Sequence, residues 1–292
     1  MGDLVVVGDT AVDITVKLEL PNELTRNVVL RPLRLTVGGI AAEVAMQVRK
    51  LGCLPQFWTV VGTDLFSQFL KQELERTDLD VHIGVVEGSN TKNVVVVQPT
   101  GERTIFSDMG VHVTLSEDQL DIDSIRTAQY LYIPAFPAYW PLIDRFSELG
   151  PLIASDFGFV DTLAELRDYA ARIGPQVDIA FLSGARLDSA IIESMETEFL
   201  NAGCEVVFVT LGRRGVRFAT PDRRVHQPAF AVRVVDTNGA GDSFAAGVLV
   251  GLLEGRNLEE CAQLGQAAAA ARSALLAEVP TRHVVLAFLM QQ

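Results

Sequence analysis

The chain has 292 residues, 49% of them hydrophobic, and a formal net charge of −13. That length and apolar content suit one large α/β domain or two ordinary ones with ample core, and they exclude a disordered chain. A pI near 4.8 argues against sequence-independent nucleic-acid binding, because repulsion from phosphates would have to be overcome.

In chain order, "MGDLVVVGD" is acidic and strand-like, unlike a signal peptide, and predicts a first strand over 4–9. Residues 14–18 and 28–37 alternate apolar and polar, the pattern of strands with one wet face. "GGIAAEVAMQVRKLG" (38–52) predicts a helix opened by two glycines and closed by one. A strand follows over 57–62, then a helix over 64–77 with Leu65, Phe66, Phe69, Leu70 and Leu74 on one face. Alternation returns at 93–98 and 103–107, on either side of the turn signal "PTGE". Apolar strands are predicted over 128–134, 151–157, 177–183 and 204–212, and a buried strand over 230–235 leads to a helix over 243–253. Apolar strands alternating with helices imply a doubly wound, mostly parallel α/β sheet covered on both faces. The four alternating segments imply a small β sheet, a candidate lid contributed by about 14–37 and 85–110 within a single domain of 1–292. Cys53, Cys204 and Cys261 are far apart and lack metal-ligand spacing, as expected of buried thiols in a reducing cytoplasm. No apolar run reaches the ~18 residues that span a bilayer, so no membrane partner is expected. The Ala-rich stretch 267–277 is shorter and contains Arg272.

"VVDTNGAGDSFAAG" (234–247) carries the chemistry. Gly239, Ala240 and Gly241 leave the backbone open, and their N–H groups feeding a helix N-terminus suit an anion, with Asp242 beside them. An ordinary strand-to-helix turn with Asp242 as N-cap is the other reading of the same residues.

The chain resembles the ribokinase-like, or PfkB-type, carbohydrate and nucleoside kinases. The motifs are "VGDTAVD" (7–13), the 38–52 segment, "VGTDLF" (61–66), "TGERT" (100–104), "VTLGRRGV" (209–216) and "DTNGAGDSFAAG" (236–247). The resemblance implies a doubly wound α/β domain with a small β lid and transfer of the γ-phosphoryl of ATP, with Mg2+, to a hydroxyl of a sugar or nucleoside. It implies that Asp242 is the base and that the N–H groups of Gly239, Ala240 and Gly241 hold the transferring phosphoryl. Asp13 then binds acceptor hydroxyls, or else caps a turn, while Gly38 and Gly39 let backbone approach the acceptor or simply open a helix. Thr210, Gly212 and Gly215 match the nucleotide-phosphate loop, with a plain hairpin as the alternative. Asp236 resembles a residue that in several members helps hold a monovalent cation such as potassium (K+), or it merely ends a strand. Lids of this family often pair between protomers, so a homodimer through the lid is expected.

Three departures bear on function. The helix that commonly reads GGxxxN has Glu43 at the Asn position. The usual Asn-x-x-Glu that organises magnesium is "SGAR" here, with Ser183 and Arg186, and Ser67 replaces a common Gly. Glu43 beside Asp13 implies an unphosphorylated acceptor, and Arg186 implies direct contact with nucleotide phosphates or an outward pairing with Asp188 or Glu193. A catalytically weakened member that binds nucleotide or sugar as a regulator is the second reading. A dinucleotide oxidoreductase is disfavoured because "GDTAVD" is not GxGxxG, and a P-loop kinase is excluded by the absence of GxxxxGK[ST].

Overall fold

The structure, a computed structural model, describes residues 3–18, 33–99, 103–111, 115–160, 162–275 and 278–290. β1 (Leu4–Val7) is apolar and buried at every position, as a strand covered on both faces must be. The chain leaves it for β2 (Ala11–Lys17) and β3 (Leu33–Gly38), then forms α1 (Ile40–Lys50), β4 (Gln56–Val61), α2 (Leu65–Glu75) and β5 (Asp80–Val85). β6 (Thr91–Val97) and β7 (Arg103–Asp108) make a second excursion. Then come α3 (Ile122–Thr127), β8 (Tyr130–Tyr132), α4 (Trp140–Ser147), β9 (Leu152–Asp156), α5 (Leu163–Ile173), β10 (Ile179–Ser183), α6 (Ser189–Ala202) and β11 (Val206–Thr210). β12 (Val216–Ala219), β13 (Arg224–Gln227), α7 (Ala240–Leu253), α8 (Leu258–Ser273) and α9 (Arg282–Leu289) follow.

The large sheet runs β13-β12-β11-β10-β9-β8-β1-β4-β5. Neighbours from β5 to β11 are parallel, while β12 and β13 add an antiparallel edge. Successive residues of β1 face opposite layers. Leu4 and Val6 join the core under α1, α2, α7 and α8, and Val5 and Val7 join that under α3, α4, α5 and α6. The doubly wound α/β fold expected from the sequence is present, with a smaller second sheet of order β3-β2-β6-β7.

The second sheet follows the period-2 rule. Asp13 lies opposite Thr36 and Asn93 on one face, while Leu35, Ile14, Val94 and Phe106 form a row on the other. Residues 19–32 and 100–102, included in the expected lid, lie outside the described residues. Val85 belongs to the large sheet, where β5 pairs with β4, and not to the small one.

Two expectations are corrected. No strand forms over 230–235, because β13 already holds the sheet edge. That segment runs half-exposed past the end of α8, where the N–H groups of Val235 and Asp236 donate to Ser273 O at 2.8 and 3.2 Å. The strand expected over 204–212 is shorter, because the chain turns after Thr210 into the β11–β12 hairpin.

α7 is apolar almost all round because it is packed on several sides, and glycine lets α8 cross it closely. A Cβ on Gly247 would fall 2.7 Å from Gly265 Cα and 2.8 Å from Leu264 O, both backbone atoms that cannot swing away. Gly247→Ala should therefore destabilise by about 1–3 kcal/mol despite alanine's better helix propensity, as measured by urea unfolding. A neutral or stabilising result would show that the crossing has slack.

Candidate active site

β4 and β8 flank β1 on opposite sides, so the connections diverge there and open a crevice beyond the carboxyl ends of the strands. Asp9, just after β1, accepts the N–H groups of Ile40 and Ala41 at 3.0 Å each and so fixes the start of α1. Gly39 between them has φ 100°, and a Cβ there would lie 2.8 Å from Asp9 O. A Cβ on Gly38 would collide with the Asp13 carboxylate. The glycine pair thus lets one backbone turn pass between two acids.

Asp13 is buried on β2 and accepts Asn93 Nδ2 at 2.8 Å and Asn238 Nδ2 at 3.1 Å. Burial raises its pKa, while the two amides, Arg272 and Arg103 oppose the rise. Through Asn238 this side chain joins the second sheet to the Gly-rich turn. Arg103 of β7 makes the same connection by donating to Thr237 O.

The turn itself differs from the simple picture. Gly239, in the left-handed region, is the N-cap of α7, so Asp242 is the third residue of the helix and does not cap it. The Ala240 N–H turns back to Thr237 O at 3.3 Å. Among the described residues the Gly241 N–H finds no acceptor, and no atom outside its own turn of helix lies within 4 Å of where a Gly241 Cβ would stand. The opening is therefore centred on Gly241. Asp236 is fully buried and accepts the Asn238 N–H at 2.8 Å, which holds the turn's shape.

Negative charge accumulates in this crevice. Burial, followed by Asp156 and Glu43, pushes the Asp242 carboxyl well above the ordinary carboxylate range, with Asp9 adding and Arg103 opposing. The dipole at the start of α7 favours an ionised Asp242, but burial and the neighbouring acids outweigh it. Burial raises Asp156 to about 6, although it accepts the Gly158 N–H at 2.7 Å. Glu43 is raised to about 7 by burial, with Arg272 lowering it and Asp13 and Asp236 raising it.

The second cluster lies at the ends of β10 and β11, where Ser183 and Thr210 pair side by side. Thr210 Oγ1 donates to Leu182 O at 3.2 Å. Gly212 has φ 58° and Gly215 φ 96°, and the place of a Gly215 Cβ is taken by Gln227 O of the hairpin. Arg214 donates to the carbonyls of Gly184 and Leu187 at 2.9 Å each and ties the two turns together. Arg186 is exposed, Asp188 caps α6 by accepting the Ile191 N–H at 2.9 Å, and Glu193 pairs with Arg217 at 3.3 Å. Phe244 of α7 packs against Phe181 and Phe208, which seats the start of α7 over these strands. Ser67 accepts Asn90 Nδ2 at 2.7 Å, a bond that glycine could not make.

Residues 1–273 match the description "pfkB family carbohydrate kinase". The chain belongs to the pfkB family. It is 30% identical over 281 residues to fructoselysine 6-kinase of Escherichia coli K12, covering 92% of this chain and 97% of that protein. An ATP-dependent ribose-1-phosphate kinase of Halopiger xanaduensis is 28% identical over 293 residues, covering 96% and 95% respectively. The fold superposes on an Arabidopsis thaliana ribokinase complexed with ribose and ATP, with TM-score 0.78, 24% identity and 98% of each chain covered. This pfkB-family chain is an ATP-dependent sugar kinase, a phosphotransferase with a hydroxyl acceptor.

Neither ion implied by the family resemblance fits the residues simply. The Ser183–Arg186 turn offers magnesium no carboxylate, since Asp188 is engaged as a helix cap. Beside Asp236, where a monovalent cation is expected, the buried Arg272 guanidinium lies against Gly239. Sequence reasoning assigned no role to Asp9, Asp156, Arg103, Arg214 or Arg272. Asp9 and Asp156 stand at the ends of apolar strand runs, Arg103 in an alternating segment, and Arg272 is a lone charge after an alanine run.

The raised Glu43 pKa has a pH signature. The unfolded chain releases this proton near 4.5 and the folded chain near 7, so stability falls as pH rises between them. The full effect is about 3 kcal/mol. Glu43→Gln removes it, so the variant's unfolding free energy relative to the parent should rise by up to about 3 kcal/mol from roughly pH 4.5 to pH 8. A pH-independent difference in urea titrations would show that Glu43 ionises normally.

Proposed function

We propose that the chain transfers the γ-phosphoryl group of ATP to a hydroxyl of an unphosphorylated sugar or nucleoside bound between the Gly-rich turn and the second sheet. The observation that carries this reading is the juxtaposition of Asp242, the open Gly241 and Asp13, which Asn238 links to the turn. Phosphoryl transfer depends on positioning and on stabilising charge more than on covalent help. Asp242 accepts the proton of the attacking hydroxyl, and its burial, which raises its pKa above the ordinary carboxylate range, makes it a stronger base than an exposed carboxylate. Gly239, Ala240 and Gly241 line the cradle for the transferring group, with the free Gly241 N–H aimed at developing charge.

Asp13, Gly38, Gly39 and Glu43 line the acceptor side, and Thr210, Gly212 and Gly215 the nucleotide side, with the exposed Arg186 at its rim. Magnesium enters with ATP, carried by the phosphate oxygens, in keeping with a turn that lacks a carboxylate. An acceptor region crowded with carboxyl groups supports hydroxyl or cationic groups and disfavours a second phosphate. The Halopiger relative acts on ribose-1-phosphate and the E. coli relative on fructoselysine, so both belong in an acceptor panel.

The second sheet acts as a lid, because it contributes Asp13 and Arg103 to the crevice from outside the main layers. Its outer row is open, with Leu35 39%, Val94 39% and Phe106 58% exposed, which supports a homodimer through the lid. Three free cysteines are in keeping with a cytoplasmic location. A weakened, nucleotide-binding member is the second reading, favoured by the missing carboxylate in the Ser183–Arg186 turn.

The test is ATP consumption over a panel of sugars, nucleosides, fructoselysine and ribose-1-phosphate. Turnover on an unphosphorylated member is expected. Nucleotide binding without turnover on any member favours the second reading, and efficient use of the sugar phosphate contradicts the acceptor assignment. Asp242→Asn should lower turnover by roughly 10²–10⁴-fold with nucleotide affinity nearly unchanged. Phe106→Lys should shift the sedimentation coefficient from dimer to monomer; a parent protein already monomeric at micromolar concentration would remove the lid interface.

A further inference from the structure

Among the described residues Arg272 is the largest fully buried side chain, 1% exposed, near the end of α8 after the alanine run 267–271. Its Nη2 lies 3.9 Å from Glu43 Oε1, a distant contact for an ion pair. Among the described residues its Nε and Nη1 have no hydrogen-bond partner. Burying an ionised group with two unanswered donors is costly, so such a residue calls for a compensating role. The position supplies one. A Cβ on Gly239 would fall 3.0 Å from Nε, 3.1 Å from Nη2 and 3.3 Å from Cζ, so the guanidinium lies directly against the N-cap of α7. The adjacent Ser273 carbonyl accepts the Asp236 N–H, which brings the end of α8 to the start of the same turn. Asp13, Glu43 and Asp236 supply the negative surroundings.

We propose that the Arg272 guanidinium is a built-in cation for the Gly239–Asp242 turn, taking the place of a bound monovalent ion. The inference rests on reading that turn as the phosphoryl cradle. Arg272 is a positioning residue: it touches the turn from below, fixes the N-cap by contact, and offsets the acids that would otherwise repel an incoming phosphate. A tethered charge has no dissociation equilibrium, so the turn keeps its shape whatever the ionic composition. A second cation placed beside the guanidinium would be repelled by it.

The experiment compares the unmodified protein in potassium chloride and in tetramethylammonium chloride at equal ionic strength. Melting temperature, calorimetric affinity for a non-hydrolysable ATP analogue, and turnover are all read. The same values within about twofold, and the same melting temperature, are expected. A rise of several degrees in potassium, which is what ligand binding to the folded state produces, would overturn the proposal. So would tenfold tighter nucleotide binding, tenfold activation, or an anomalous thallium peak at Asp236 in crystals. Arg272→Met keeps the volume and removes the charge. It should weaken analogue binding or turnover by about tenfold or more. Arg272→Lys, or added potassium or guanidinium, should restore part of the loss. A folded Arg272→Met with unchanged binding and turnover would also overturn the proposal. If that variant fails to fold, Glu43→Gln/Arg272→Met removes both members of the pair and is read in its place. The melting and nucleotide-binding measurements need no acceptor, so they decide the role of Arg272 even where no substrate is phosphorylated.

Discussion

The constraint that organises this molecule is the gathering of carboxyl groups at the carboxyl ends of its parallel strands. Asp9 leaves β1, Asp156 ends β9, Asp242 opens α7, and Asp13 and Glu43 enter from β2 and α1. Buried negative charge in such density would be intolerable without compensation. The fold compensates with helix starts, amides and the guanidinium groups of Arg272 and Arg103. Two N–H groups of α1 hold Asp9, Asn93 and Asn238 hold Asp13, and Arg272 lies beside Glu43. What compensation remains incomplete appears as raised pKa values at Glu43, Asp156 and Asp242. The crevice is thereby prepared to hold protons.

The donors to Asp13 are neutral amides, and this choice matters. An arginine there would lower the Asp13 pKa more strongly and lock the second sheet to the turn through an ion pair. Two amides orient the carboxylate while leaving its charge available, and either can exchange its partner for a hydroxyl at modest cost. Arg103 bonds the Thr237 carbonyl, and its charge acts on Asp13 and Asp242 at a distance.

The main sheet was legible because its strands are continuous apolar runs, and the second sheet because alternation marks one wet face. The hairpin of β12 and β13 escaped because β13 is short and presents Arg224 and His226 to solvent. The 230–235 run misled because its apolar residues are satisfied by packing and, at Val235, by a bond to Ser273 O, not by a neighbouring strand. At the site, Asp242 and the glycines could be read locally, since turn chemistry is local. The participation of Asp9 and Asp156 depends on strand order, which no single segment encodes. The rise in the Asp242 pKa is less legible still, being a sum over acids from β1, α1 and β9.

The bond between Asp13 and Asn238 spans 225 positions of sequence. During synthesis at ~5–20 residues per second, roughly 10–45 s separate the emergence of its two ends. Through that interval β2 and β6 can pair and present Asp13 to Asn93, but the crevice has no floor and the acid has only one partner. A ribosome-bound chain halted before the Gly-rich turn carries most of the large sheet and none of the cradle. The crevice between the second sheet and the Gly-rich turn is thus completed by a late long-range closure.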